Sequence, residues 1–149
     1  QPRSRGLGDV YKRQTVAFDE VLSSLVTHAL ELSPRMGELT IERTGEIGSL
    51  ESRVATPLSL VVTELIHNAL EHGLYESGTK LRIELQRYSN EGLVTISDDG
   101  IGLPDGFDLL TSANLGLQIV RTLTENELKG ELKLESTEKG TQAKLRFPL

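Results

Sequence analysis

Cysteine and tryptophan are both absent from the 149 residues. The first absence excludes disulfides, thiolate metal sites and cysteine nucleophiles. With aromatics at only 4%, the second disfavours a stacking surface for single-stranded nucleic acid. Charge of one sign is not concentrated anywhere, and the balance is acidic at −6. A nucleic-acid surface needs a basic patch, so nucleic acid is not an expected partner. An anionic nucleotide stays open, because backbone N–H groups and a metal can supply a local positive field. Long apolar runs are missing too: none approaches the ~20 residues of a membrane span. No signal-peptide pattern opens the chain. The expectation is one cytoplasmic domain, with no membrane contact and enough chain for a real core.

What is present divides into short periodic segments. Residues 1–14, QPRSRGLGDVYKRQ, are basic and aperiodic, and are set aside as a non-native or disordered leader. The domain is expected over residues 15–149. An amphipathic helix is predicted over 18–32 and a short strand over 39–44. The helix over 56–73 comes next, with Thr56 as N-cap, Pro57 at its first position and Gly73 as its stop. Residues 80–89 alternate as a half-buried strand, Asn90-Glu91-Gly92 reads as a tight turn, and 93–97 return as a strand. Residues 103–114 lack a period and read as a loop. A helix follows from Leu115 or Gly116 to about Glu125, then a hairpin over 131–137 and 141–147. Hairpin pairs with three helices predict an α+β fold: a two-layer α/β sandwich, its mixed and mostly antiparallel sheet carrying the helices on one face.

Three places carry chemistry. Glu64, Asn68 and Glu71 fall at i, i+4 and i+7 on the 56–73 helix, with His67 and His72 at the edges of that stripe. A metal–nucleotide site could use this arrangement, and so could an ordinary amphipathic helix. Asp98-Asp99-Gly100-Ile101-Gly102 closes a strand. It reads as a plain turn or as a ligand loop whose glycines let backbone approach a flat ring. The helix start near Gly116 offers N–H donors to phosphate, or is an ordinary loop–helix junction.

The order and spacing of these pieces resolve the choice. Glu64-x-x-x-Asn68, Asp98-x-Gly100-x-Gly102, Asn114-Leu115-Gly116-Leu117 and Gly140-Thr141 follow one another as in the ATP-binding domain of histidine kinases, gyrase, Hsp90 and MutL. The chain resembles this GHKL superfamily, with its Bergerat ATP-binding fold, over about residues 18–149. It looks most like the catalytic domain of sensor histidine kinases of the HisKA_2 class, especially soluble ones acting on antiterminator response regulators. The resemblance implies ATP and Mg²⁺ as cofactors. Asn68 would ligate Mg²⁺, and Glu64 would be the catalytic carboxylate that polarises the nucleophile. Asp98 would accept from the adenine amino group, supported by Thr141. Gly100 and Gly102 would line the base pocket, and the N–H groups of Leu115, Gly116 and Leu117 would face the phosphates.

The chain departs from the family at several points. Many histidine kinases have lysine where this chain has Glu71, so phosphate would look to His72, to Arg121 or to no basic group at all. The glycine pair before the last helix is reduced, and the lid is short. His28 lacks the phosphoacceptor pattern, so the implied partners are a histidine-containing dimerisation domain and a response regulator. Alone, the chain is expected not to autophosphorylate. Two alternatives share the fold: a serine kinase of the anti-sigma-factor type, and a degenerate nucleotide-binding module used for association.

Overall fold

The computed structural model describes residues 13–149, so all but the last two positions of the expected leader lie outside the described residues. Strand β1 (Thr15–Ala17) leads into helix α1 (Phe18–Leu32), strand β2 (Thr40–Thr44), strand β3 (Ser49–Glu51) and helix α2 (Ser52–Asn68). A π turn over Ala69–Gly73 extends α2. Strands β4 (Lys80–Arg87) and β5 (Glu91–Asp98) follow, then helix α3 (Leu115–Asn126) and strands β6 (Glu131–Ser136) and β7 (Thr141–Pro148). The main sheet has five strands in the order β2-β4-β5-β7-β6. Only β2 and β4 run parallel; the other pairs are antiparallel. The expected two-layer α+β sandwich is therefore the observed one.

Alternation along the strands builds the core. Leu81, Ile83 and Leu85 of β4, Val94 and Ile96 of β5, and Ala143, Leu145 and Phe147 of β7 are buried on one face. Arg82, Gln86, Lys144 and Arg146 point the other way and are exposed. Against the apolar face lie Phe18 and Leu22 of α1, Leu58, Val61, Val62, Leu65 and Ile66 of α2, and Val120 of α3. These positions follow the 3.6-residue period that the sequence shows.

Three expectations need correction. Thr56 is not the N-cap of the long helix, which starts at Ser52 with Pro57 inside it. The carbonyl of Gln14 accepts from both the N–H and the hydroxyl of Ser52, so a distant segment starts the helix five residues early. Pro57, the sixth residue of this helix, has no N–H to give the carbonyl of Arg53, and the helix continues past that missing bond. Second, β1 and β3 pair as a small antiparallel sheet through Val16 and Leu50, where the sequence reads as loose chain. Third, the turn between β4 and β5 falls two residues earlier, closed by Tyr88 N–H donating to the carbonyl of Glu91 at 2.8 Å. Gly92 lies within β5 opposite Phe147, and a Cβ there would meet that ring at 2.6 Å. Its smallness makes room for the core rather than for the turn.

Leu58 is fully buried in the middle of α2. Leu58→Ala should lower unfolding free energy by about 2–5 kcal/mol, since the cavity collapses only in part. Urea unfolding followed by circular dichroism checks this, with native secondary structure retained in the absence of urea.

Candidate functional site

The ends of α2 and β5, the loop after β5 and the start of α3 enclose a cavity of about 590 Å³. Its walls are largely apolar, from Leu65, Ala69, Ile96, Leu134 and Ala143. Polar side chains, among them Asn68, His72, Asp98, Asn114 and Thr141, converge on these apolar walls, as in a small-molecule site. Of the residues singled out by sequence, Asn68, His72, Asp98, Gly102, Leu117 and Thr141 line this one cavity. Glu64, Gly100, Leu115 and Gly116 do not line it.

Asp98 is one of the polar groups in this lining. It is 8% exposed, and its carboxylate accepts from the N–H of Gly100 at 2.9 Å and from that of Thr141. Burial raises its pKa above the ordinary 3.8, against the pull of those two N–H groups, and the charge of Asp99 adds to the rise. Asp99 behaves oppositely. Burial opposes its ionisation, but the N–H groups of Lys80 and Thr79 outweigh that and hold its pKa below 3.8. The two adjacent carboxylates thus divide their work: Asp99 fixes the start of β4, and Asp98 faces the cavity.

Backbone is packed tightly around Asp98. A Cβ on Gly73 would lie 2.6 Å from its Oδ2. One on Gly140 would strike its carbonyl, and one on Gly100 would strike the carbonyl of Gly73. That carbonyl accepts from Ile101 N–H at 3.0 Å, so the loop after β5 is stitched to the end of α2. Gly102 has φ of 80°, and the next N–H, of Leu103, donates to Ser136 Oγ at 2.8 Å. Gly100 acts by close approach behind Asp98, and Gly102 by its backbone conformation at the rim.

Other parts of the lining come from α2 and α3. Asn68 Nδ2 is buried without a partner. Rotation of the amide exchanges its nitrogen and oxygen, so either atom can occupy the unpartnered position. An oxygen at this place suits a hard divalent cation, which takes carboxamide and carbonyl oxygen ligands. Among the described residues, however, no group of three or more acidic or histidine side chains could hold a metal ion. Glu64, one turn before Asn68, packs against the start of α3, where a Cβ on Gly116 would collide with its Oε2. Asn114 caps that helix, its Oδ1 accepting from Leu117 N–H at 3.0 Å. The Leu117 donor is thereby engaged. Those of Leu115 and Gly116 belong to the first turn, which has no intrahelical acceptors for them.

Sequence reasoning passed over Ile101, Pro104 and Phe107 of the loop and Tyr75 and Glu76 beyond the π turn, all of which line the cavity. Their placement depends on contacts distant in sequence. Gln118 anchors the loop by donating to the carbonyls of Ser112 at 2.7 Å and Leu109 at 3.2 Å.

Residues 53–149 match the family described as histidine kinase-, DNA gyrase B-, and HSP90-like ATPase. The chain is 38% identical over 139 residues to the sensor histidine kinase PdtaS of Mycobacterium tuberculosis, covering 91% of this chain and 28% of that protein. It is 32% identical over 114 residues to blue-light-activated histidine kinase 2 of Erythrobacter litoralis, covering 75% of this chain and 30% of the relative. The chain thus spans less than a third of these relatives. In structure it superposes on the blue-light activated histidine kinase EL346 of Erythrobacter litoralis with a TM-score of 0.78 at 26% identity, covering 90% of this chain and 46% of that one. The catalytic domain of histidine kinase ThkA shares the fold, with a TM-score of 0.75 at 22% identity and coverage of 91% and 95%. No described helix is long and apolar enough to cross a membrane.

The raised pKa of Asp98 has a consequence for stability. As pH rises from 3.8 through the higher folded value, the unfolded chain releases this proton before the folded chain does. Charged Asp98 therefore costs stability above that window and none below it. The melting temperature of Asp98→Asn should gain on wild type as pH is raised from about 3 to about 7. Paired thermal melts across that range check the sign.

Proposed function

The chain belongs to the histidine kinase-, DNA gyrase B-, and HSP90-like ATPase family, and from that premise we propose that it is the part of a sensor histidine kinase that binds Mg·ATP and delivers the γ-phosphate to a histidine on a dimerisation domain. Its product would then supply a response regulator. The observation that carries this reading is one cavity lined both by a buried, backbone-held carboxylate, Asp98, and by Asn68, whose amide has a buried unpartnered atom. An adenine ring would lie among the apolar walls. Its amino group would donate to Asp98, with Thr141 on the same edge and Gly102 at the rim. Asn68 would hold Mg²⁺, which when bound neutralises phosphate charge.

The protein's own residues would do the rest by position and field. Leu115 and Gly116 present N–H groups at the positive end of α3. Glu64 stands beside that end and would accept hydrogen-bond character from the attacking imidazole. Asp98 accepts more strongly from adenine when ionised, so nucleotide affinity should weaken as pH falls through its titration. The finer assignment, to the HisKA_2 class with antiterminator response regulators as partners, rests on the resemblance of the α2 and α3 sequences.

Isothermal titration should show ATP binding that strengthens with Mg²⁺, and Asn68→Ala should remove the metal-dependent part. Supplied with a histidine-bearing dimerisation domain, the chain should transfer acid-labile phosphate. Acid-stable phosphoserine on an added protein substrate would instead identify the serine-kinase alternative. Failure of the intact fold to bind Mg·ATP would sink the proposal.

A further inference from the structure

The cavity that would receive a polyanion is itself anionic. Glu71, Glu76 and Asp98 line it, and no lysine or arginine does so among the described residues; His72 is the one basic side chain. Arg121 is engaged with Glu125 at 3.1 Å and stands outside the lining. The carboxylates are not equivalent. Asp98 is buried and held by backbone donors, and is read above as the acceptor for adenine. Glu71 lines the cavity from the π turn, three residues beyond Asn68, the residue read as the ligand of the phosphate-bound metal. His67 Nε2 lies 2.8 Å from its Oε1 and fixes the carboxylate along the helix surface.

A fixed negative charge repels a ligand in proportion to the ligand's own charge. Each phosphate adds to that repulsion, while adenosine does not feel it. Glu71 is about half exposed, so water and salt reduce the effect without removing it. We propose that Glu71 sorts the ligands of this cavity by charge, weakening binding as the number of phosphates rises and making retention of the triphosphate depend on a divalent cation. Adenosine contacts then supply most of the affinity, and the phosphate chain supplies little. The inference rests on the nucleotide reading of the cavity.

The test is a set of titrations of wild type and Glu71→Gln with adenosine, ADP and ATP, each in Mg²⁺ and in chelator. Glutamine keeps the hydrogen bond to His67 and removes only the charge. Adenosine affinity should be unchanged. ATP should bind about threefold to tenfold more tightly to the variant at low salt, with ADP in between. The gain should be larger in chelator than in Mg²⁺. It should fade toward 1 M salt, where the screening length falls to about 3 Å. Glu71→Lys should extend the same order further, and it serves as the second variant if glutamine disturbs the fold. An equal change for all three ligands, or no gain for ATP, overturns the role of Glu71. Absence of adenosine and nucleotide binding in folded wild type overturns the reading of the cavity itself.

Discussion

A carboxylate buried at the end of a strand is the constraint from which the rest of the site follows. Removing Asp98 from water raises its pKa, and two backbone N–H groups return part of that cost. To bring those donors close, three chain segments must meet where side chains have no room. Gly73, Gly100 and Gly140 are the residues at these contacts, each in a place where a Cβ would meet Asp98 or its immediate neighbour. The end of α2, the loop after β5 and the turn before β7 are held together by that crowding. The cavity opens beside it, so the recognition group and the tightest packing share one location.

The π turn connects this crowded region to the metal-ligand candidate. Leu74 N–H donates to the carbonyl of Ala69 at 2.8 Å, an i→i−5 bond that widens the helix as it ends. Glu71, His72 and Gly73 therefore follow Asn68 in a widened turn and not in regular helix. Arg35 holds the same end from outside, its Nη1 donating to the carbonyl of Leu74 at 2.8 Å. Glu64, still in regular helix, stays packed against α3. One continuous element thus supplies a carboxylate to the helix N-terminus, an amide to the cavity and a glycine to the packing around Asp98.

Much of the architecture was legible in the residues. The strands at β4, β5, β6 and β7 show alternation, and α1 and α3 show an apolar stripe, because each has one face in water and one in the core. The site motifs were legible through their order along the chain. Elements that depend on long-range partners were hidden. The early start of α2 is set by the carbonyl of Gln14, and the β1–β3 pair holds only three residues on each side. Gly92 looked like a turn glycine because its true reason, the ring of Phe147, lies far along the chain.

The sequence by itself determined the periodicities, the fold class and the identities of the polar groups, since these rest on local propensity and on which face each residue shows. Only the tertiary structure decided which groups share a cavity. It brought Asn68, Asp98 and Thr141 together, left Leu115 and Gly116 outside, and gave the Leu117 donor to Asn114. It also placed Glu71 on the lining and Arg121 off it. Charge along a chain carries no sign for a site until packing decides which charges the site can feel.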